Sequence, residues 1–195
     1  MQQNRHSFSI KHPSILRQAS SAVPWERFHD WLHCVAVVTF DLELGQTIER
    51  IYPGDVELSP SERLNLCYMA FPDSNSHCSL DTNYHFRLRR DTEHDPSRLR
   101  LTPAQMKFHH AAPIPLQLNA GYLFGFVHFR QEKRAELPRG YYQKSVVVLT
   151  PLPMMGLFSE VVERVALAFF EQGEKAVERG NLAVEAIIIN SVMRL

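Results

Sequence analysis

The chain has 195 residues, 45% of them hydrophobic and 22% charged, and it carries no net charge at neutral pH. This length and composition fit one globular domain with flanking segments and exclude a disordered protein, and the balance of charges argues against a general nucleic-acid binder. No apolar run is long enough to span a membrane, and three cysteines without a close pair predict reduced thiols in a cytoplasmic protein.

The first 24 residues form a basic leader that contains Arg5, Lys11 and Arg17 and no acidic residue. They lack periodic apolar positions, so we expect this leader to be disordered. Its charges are too widely spaced for stable membrane anchoring, which needs a tighter cluster or a lipid. We expect the folded domain in residues 25–180 and assign no conformation to residues 181–195.

The folded part begins with an apolar, β-branched run over residues 32–40, which predicts a buried strand. Residues 47–52 predict the returning strand, and the short connection through Gly45 indicates an antiparallel hairpin. The sequence Ser59-Pro60-Ser61-Glu62 is a capping box with proline at the first helical position, so a helix is predicted over residues 59–70.

Residues 84–89 alternate apolar and polar side chains, which predicts a strand with one solvated face. Residues 90–120 contain four prolines and no strong element signal, so we expect a long loop. Residues 122–129 and 141–150 predict two buried strands, joined by a polar turn over residues 131–139.

A broad apolar stripe over residues 154–179 predicts a long helix that ends at Gly180. The element order is therefore β-β-α-β-β-β-α. It predicts a fold with both helices and strands, α/β in the broad sense and α+β in the strict one. The sheet is expected to have five strands and to be mostly antiparallel. The helix over residues 154–179 is expected to cover one face of the sheet and the helix over residues 59–70 the other.

Two groups of residues have side chains that a zinc ion accepts, and we favour neither as a zinc site. His29 and His33 have the i, i+4 spacing at which two imidazoles on a helix can bind zinc. The sequence His29-Asp30-Trp31-Leu32-His33 runs directly into a strand, so the two imidazoles are not expected to share a helical face. The other group has an uncommon spacing and consists of Cys67, His77, Cys78 and His85. His109 and His110, in the expected loop, are predicted to be solvated. We predict no catalytic residues, no metal site and no cofactor.

Basic residues concentrate after the third predicted strand, at Arg87, Arg89, Arg90, Arg98, Arg100 and Lys107. We favour a solvated strand end as the explanation. The alternative is a docking patch for an acidic partner or a lipid head group.

Four stretches of the chain resemble the DENN family, and the similarity is strongest to the DENN domain-containing protein 6 group. The first is Val38-Thr39-Phe40-Asp41-Leu42-Glu43-Leu44-Gly45-Gln46, followed by Ile51-Tyr52-Pro53. The second is Leu58-Ser59-Pro60-Ser61-Glu62, followed by Cys67-Tyr68-Met69-Ala70-Phe71-Pro72-Asp73-Ser74. The third and fourth are Tyr122-Leu123-Phe124-Gly125-Phe126-Val127-His128-Phe129-Arg130-Gln131 and Arg139-Gly140-Tyr141-Tyr142-Gln143-Lys144-Ser145. The resemblance covers residues 25–179, in order.

The resemblance implies an upstream DENN (uDENN) segment with a longin-like fold, in which helices flank a five-stranded antiparallel sheet. DENN modules are guanine nucleotide exchange factors for Rab-family small GTPases in membrane traffic. They act by holding the GTPase in a conformation that binds nucleotide and magnesium poorly, which requires no covalent chemistry. The expected partner is therefore a Rab GTPase, and no cofactor is implied.

DENN proteins continue for several hundred residues into central and downstream segments, so we expect this chain to be incomplete for exchange on its own. Expected partners besides the GTPase are those segments or another traffic protein, with no nucleic acid. We expect a cytoplasmic protein with at most peripheral recruitment to endosomal membranes. The alternatives are a non-catalytic longin-type adaptor and an enzyme whose site the sequence does not reveal.

The resemblance also points to polar residues inside or close to the matching motifs, and these are our candidates for GTPase contacts. The alternative role of each is a turn or strand end that serves the fold. The candidates are Asp73, Ser74, Asn75, Asp81, Arg130, Gln143 and Lys144.

Overall fold

The structure is a computed structural model that describes residues 31–72, 80–91, 100–138 and 140–173. The basic leader lies outside the described residues, as do the candidates Asp73, Ser74 and Asn75 and the expected helix end at Gly180. His29, Asp30, His77 and Cys78 of the two rejected zinc groups also lie outside them.

The described chain contains five strands and three helices. The strands are β1 (Cys34–Asp41), β2 (Gly45–Tyr52), β3 (Leu80–Arg89), β4 (Tyr122–Lys133) and β5 (Tyr141–Thr150). The helices are α1 (Pro60–Met69), α2 (Pro103–Ala111) and α3 (Met155–Gln172), with a short 3₁₀ turn at Ile114–Leu116.

The strands form one sheet in the order β2-β1-β5-β4-β3, and every neighbouring pair is antiparallel. The expected α+β fold with a five-stranded antiparallel sheet is confirmed, and it is consistent with a longin-like module. Both expected hairpins, β1–β2 and β4–β5, are present.

Each face of the sheet is covered by a helix, as the sequence predicted. Val146 and Val148 of β5 belong to a core with α3, whereas Val147 and Leu149 belong to a second core with α1. This alternation follows from the period of two in a strand, and it explains why the second half of β5 is apolar on both faces.

The predicted capping box starts α1 and also connects the helix to β3. The Ser59 hydroxyl accepts from the Glu62 amide at 3.2 Å, and the Glu62 carboxylate accepts from the Ser59 amide at 2.9 Å. The second Glu62 oxygen accepts from the Asp91 amide at 3.0 Å. Glu62 is almost fully buried, so these donors replace the water that its charge loses on folding.

The expectation of a long loop over residues 90–120 is wrong, because α2 forms inside it. The Thr102 hydroxyl accepts from the Gln105 amide, and the Gln105 side chain accepts from the Thr102 amide, so this is a second capping box. Pro103 occupies the first turn, where its missing N–H is not needed. His109 is not merely solvated, because its Nδ1 accepts from the Leu118 amide at 3.1 Å.

Three predicted boundaries also change. Strand β3 begins at Leu80, four residues before the prediction, and β4 extends to Lys133 into the expected turn. Helix α3 ends at Gln172 because Gly173 adopts a φ of +71° while its amide donates to the Phe169 carbonyl. Within α3, Glu160 and Arg164 form an i, i+4 ion pair at 3.7 Å.

Gly125 of β4 makes the close approach between β3 and β4 possible. It lies opposite Phe86, and a β-carbon at this position would overlap the Phe86 ring.

We expect Gly125→Ala to lower the free energy of unfolding by about 2 kcal/mol, because the new β-carbon overlaps the Phe86 ring. Urea denaturation measures this loss. Gly54→Ala, where a β-carbon meets no neighbour, is the control. Adding Phe86→Leu to Gly125→Ala should recover part of the loss, and an unchanged loss would contradict the explanation.

Candidate functional site

The four described GTPase-contact candidates lie at one end of the sheet, which we call the tip end. Here the β1–β2 and β4–β5 turns meet the beginning of β3 and the last turn of α3. In the strand register Asp81 is opposite Arg130, and Arg130 is opposite Lys144. Three candidates on three different strands therefore form one row across the sheet.

Asp81 and Arg130 form the central ion pair of this row. The Arg130 guanidinium donates through Nε at 2.9 Å and through a terminal nitrogen at 2.6 Å to the two Asp81 oxygens. This hydrogen bonding lowers the pKa of Asp81 below its usual value and raises the pKa of Arg130. The guanidinium also lies 4.2 Å from the centre of the Phe170 ring, so a bidentate bond and a cation–π contact hold it in one orientation.

His128 is buried beside this ion pair and is the titratable group that the sequence analysis missed. Its Nδ1 lies 2.7 Å from the Asn83 side-chain oxygen, which can only accept, so Nδ1 carries the proton. Its Nε2 lies 3.5 Å from an Asp81 oxygen, and its ring packs against Phe170. Burial lowers the pKa of His128, although the Asp81 charge opposes the shift. Burial therefore favours the neutral imidazole over the charged one.

Lys144 is held by a carboxylate that a β-bulge brings within reach. Val37 pairs with Arg50 and Val38 with Ile48, which leaves Glu49 as the extra residue of β2. The Lys144 ammonium lies 2.9 and 2.8 Å from the two Glu49 oxygens. Only 14% of the Lys144 side chain is exposed, so its charge is used mainly inside the protein.

Gln143 projects to the opposite face of the sheet and lines an open groove. Its amide nitrogen donates to the Gln131 side-chain oxygen at 2.5 Å. The groove has a volume of about 350 Å³ and runs between the two hairpin turns. Its other lining residues are Phe40, Asp41, Leu42, Glu43, Leu137, Pro138 and Tyr141.

The rim of this groove combines acidic groups with exposed apolar side chains. The Asp41 carboxylate accepts from the Leu44 and Glu43 amides, and these bonds lower the pKa of Asp41. Leu42 and Leu44 on the same turn are 60% and 78% exposed. The groove therefore suits a surface that offers basic and apolar side chains.

The sequence analysis missed Glu49, Asn83, His128 and Phe170 at the tip end. A spacing of two residues separates Asp81 from Asn83 and His128 from Arg130, and in strands this spacing places side chains on one face. That signal was available. The β3–β4 register, which brings Asp81 and Asn83 beside His128 and Arg130, could not be read from the sequence. The reason is that β3 and β4 are joined by the long stretch that was expected to be a loop.

Among the described residues, no three His, Cys, Asp or Glu side chains lie close enough together to hold a metal ion. Within the same residues, no helix is both long and apolar enough to cross a membrane.

The comparison with known proteins identifies the family. Residues 32–178 match the family described as "Transport protein Avl9". The chain belongs to the Avl9 family. This match covers β1 to α3, and it confirms the DENN resemblance because the similar relatives carry DENN names.

Protein DENND6A of Gallus gallus is 44% identical over 156 residues, covering 80% of this chain and 26% of the relative. Protein DENND6B of Homo sapiens is 42% identical, covering 77% of this chain and 25% of the relative. The Protein DENND6 homolog of Dictyostelium discoideum is 35% identical, covering 76% of this chain and 18% of the relative. The chain thus spans about a quarter of the length of its vertebrate relatives. No solved structure matches the chain.

The buried His128 predicts a specific loss of stability in mild acid. Its pKa in the folded state lies below the ordinary value of 6.5, so below pH 6.5 the unfolded chain takes up a proton that the folded chain resists. We expect the free energy of unfolding to fall as the pH drops from about 7 through the folded-state pKa, and His128→Gln to remove this slope. Urea denaturation at several pH values measures it.

His110→Gln, at an exposed position of α2, is the control and should retain the slope. The stability that the Asp81–Arg130 ion pair contributes is lost at lower pH than this. The pKa of folded Asp81 lies below 3.8, so its carboxylate is protonated only in stronger acid. A slope between pH 7 and 5 that persists in His128→Gln would show that another group causes it.

Proposed function

We propose that this chain is the upstream DENN segment of a Rab guanine nucleotide exchange factor and that its tip end contacts the GTPase. The observation that supports this is the convergence of Asp81, Arg130, Gln143 and Lys144 on one end of the sheet. Asp81 precedes Arg130 by 49 residues, so the fold brings them together, and membership of the Avl9 family gives the convergence a context in membrane transport.

The candidates divide into groups with different roles in this proposal. Arg130 and Lys144 are mostly covered and are ion-paired within the protein, so they hold the surface in shape. The Asp81 side chain is 42% exposed and keeps one orientation through Arg130, so it is available to a partner. Gln143 contributes through the groove that it lines. We assign the contact role also to Asp73, Ser74 and Asn75, which lie outside the described residues.

Exchange by this route depends on differential binding. The segment accelerates nucleotide release only if it binds the nucleotide-poor conformation of the GTPase more tightly than the loaded one. A surface selects one conformation of its partner when its own side chains are held rigidly. The bidentate Asp81–Arg130 pair, the Phe170 contact and the Glu49–Lys144 pair supply that rigidity at the tip end.

In this proposal residues 25–180 form the upstream DENN domain, preceded by the basic leader of residues 1–24 and followed by residues 181–195. The central and downstream DENN segments, or another traffic protein, complete the exchange factor. The assembly acts in the cytoplasm and is recruited to endosomal membranes together with its Rab.

The groove at the tip end predicts a charge-dependent interaction. Glu43 is exposed on its rim, so we expect Glu43→Lys to weaken binding of a nucleotide-free Rab about fivefold or more by placing a cation against a basic partner surface. Asp55→Lys makes the same change at an exposed position beyond the other end of β2 and should bind as the unchanged chain does. Biolayer interferometry against a panel of Rabs measures both, and equal losses would contradict the location of the interface.

Release of labelled GDP from the Rab panel tests the exchange function itself. We expect a fusion of this chain to the remainder of the chicken relative to accelerate release from at least one Rab, and the 195-residue chain to bind that Rab without accelerating release. If the chain binds but the fusion is inactive, the adaptor function replaces the exchange function. If neither binds any Rab, the proposed partner is wrong.

A further inference from the structure

The corner of the sheet opposite the tip end, where β3 ends and β4 begins, has more basic than acidic side chains. Residues 82–90 and 100–131 contain no aspartate or glutamate. Asp91, which follows β3, is acidic, but its carboxylate accepts from the Ser61 hydroxyl of α1, on the other face of the sheet, at 3.0 Å. Glu93 and Asp95 lie outside the described residues. Strand β3 ends here and β4 begins here, with Arg89 opposite Tyr122. We call this the basic end. Its exposed cations are Arg87, Arg89, Arg100 and Lys107.

These four cations make no ion pair with any described residue, unlike Arg130, Lys144 and Arg164 elsewhere on the molecule. Arg87 and Arg89 are two residues apart in β3 and therefore project from the same face of the sheet. Helix α2, which carries Lys107, packs Phe108 against the core on the α3 side of the sheet. Arg87 shares its strand face with Asp81, which pairs there with Arg130 beneath α3. The strand cations and α2 thus lie on one side.

The basic end also exposes an apolar turn directly after α2. Ile114 is 83% exposed, more than any other large hydrophobic side chain among the described residues, and Leu116 beside it is 38% exposed. Pro113 and Pro115 restrict the backbone on both sides of Ile114. The His109 imidazole accepts from the Leu118 amide, which fixes the turn to α2.

The turn and the strand cations are connected through Tyr122. The Arg87 guanidinium lies 4.2 Å from the centre of the Tyr122 ring, and the Tyr122 amide donates to the Asn119 carbonyl at 3.1 Å. Leu118 of the same connection is buried in the α3-side core. Rigid apolar side chains next to unpaired cations are the combination that binds an anionic bilayer, in which the cations meet head groups and the apolar tips enter the interface.

We propose that the basic end is a peripheral membrane-binding site for bilayers rich in anionic lipids. Arg87, Arg89, Arg100 and Lys107 attract the head groups, and Ile114 and Leu116 insert between them. The site is independent of the GTPase function proposed for the tip end. Strand β4 separates the two ends by about 40 Å, since its 12 residues each rise about 3.3 Å.

Co-sedimentation of the 195-residue chain with vesicles tests this site. We expect binding to phosphatidylcholine vesicles that contain phosphatidylserine, weaker binding at raised salt, and little binding to pure phosphatidylcholine. Lys107→Glu and Arg89→Glu should each lower the partition coefficient about tenfold, because they replace attraction to the anionic surface with repulsion. Ile114→Ser should lower it about fivefold by removing the inserted side chain.

Two exposed residues of α1, on the other face of the sheet, provide matched controls. Arg63→Glu makes the same charge change as Lys107→Glu, and Leu64→Ser makes a loss of apolar surface comparable to Ile114→Ser. All the substituted side chains are exposed, and far-UV circular dichroism melts should match those of the unchanged chain. Full binding by both control variants, with the stated losses in the basic-end variants, supports the site.

Three results would overturn the proposal. If the basic-end variants partition as the unchanged chain does, another surface or the basic leader binds the membrane. If the control variants lose as much vesicle binding, the losses reflect total charge or hydrophobicity and not this site. If the unchanged chain does not bind anionic vesicles at all, the membrane site is wrong, and an acidic protein partner becomes the alternative ligand of the same cations.

Discussion

The burial of β5 on both faces is the constraint on which the rest of this structure depends. The backbone groups of β5 can be satisfied only by strands on either side, and β1 and β4 supply those strands. Its side chains can leave water only if a helix covers each face, which places α3 on one side and α1 on the other. Once β5 is central, the two hairpin turns and the beginning of β3 must lie together at the tip end.

The tip end shows how polar groups are kept at the border of an apolar core. Asp81 and Arg130 form a bidentate pair, the Asn83 side-chain oxygen accepts from His128 Nδ1, and Phe170 covers Arg130 and His128 from α3. The Glu49 bulge interrupts the regular β1–β2 ladder, yet it brings the carboxylate that neutralises Lys144. Such a network adds little to the free energy of unfolding, because the cost of desolvating the charges offsets most of their Coulomb attraction. Its main effect is to hold the surface side chains in one arrangement.

The two ends of the sheet differ in how they use charge. At the tip end Arg130 and Lys144 are paired with Asp81 and Glu49, whereas the groove on the other face presents the Asp41 and Glu43 carboxylates beside exposed leucines. At the basic end Arg87, Arg89, Arg100 and Lys107 make no ion pair with any described residue, so they remain available to a polyanionic surface. A protein that binds the bilayer by one end and a GTPase by the other would hold that GTPase at a set distance above the membrane.

The sequence by itself determined most of the elements, because apolar periodicity and helix capping act within a few residues: β1, β2, α1 and β5 lie close to their expected positions. It also determined the family and four of the residues that meet at the tip end. Only the tertiary structure decided the β3–β4 register, the Glu49 bulge and the association of His128 with Asp81 and Phe170, because these depend on contacts between distant segments. Helix α2 falls between the two cases. Its Thr102–Gln105 capping box is a local signal, but the prolines around the helix favoured the prediction of a loop. The position of the helix on the sheet depends on the packing of Phe108 against the core.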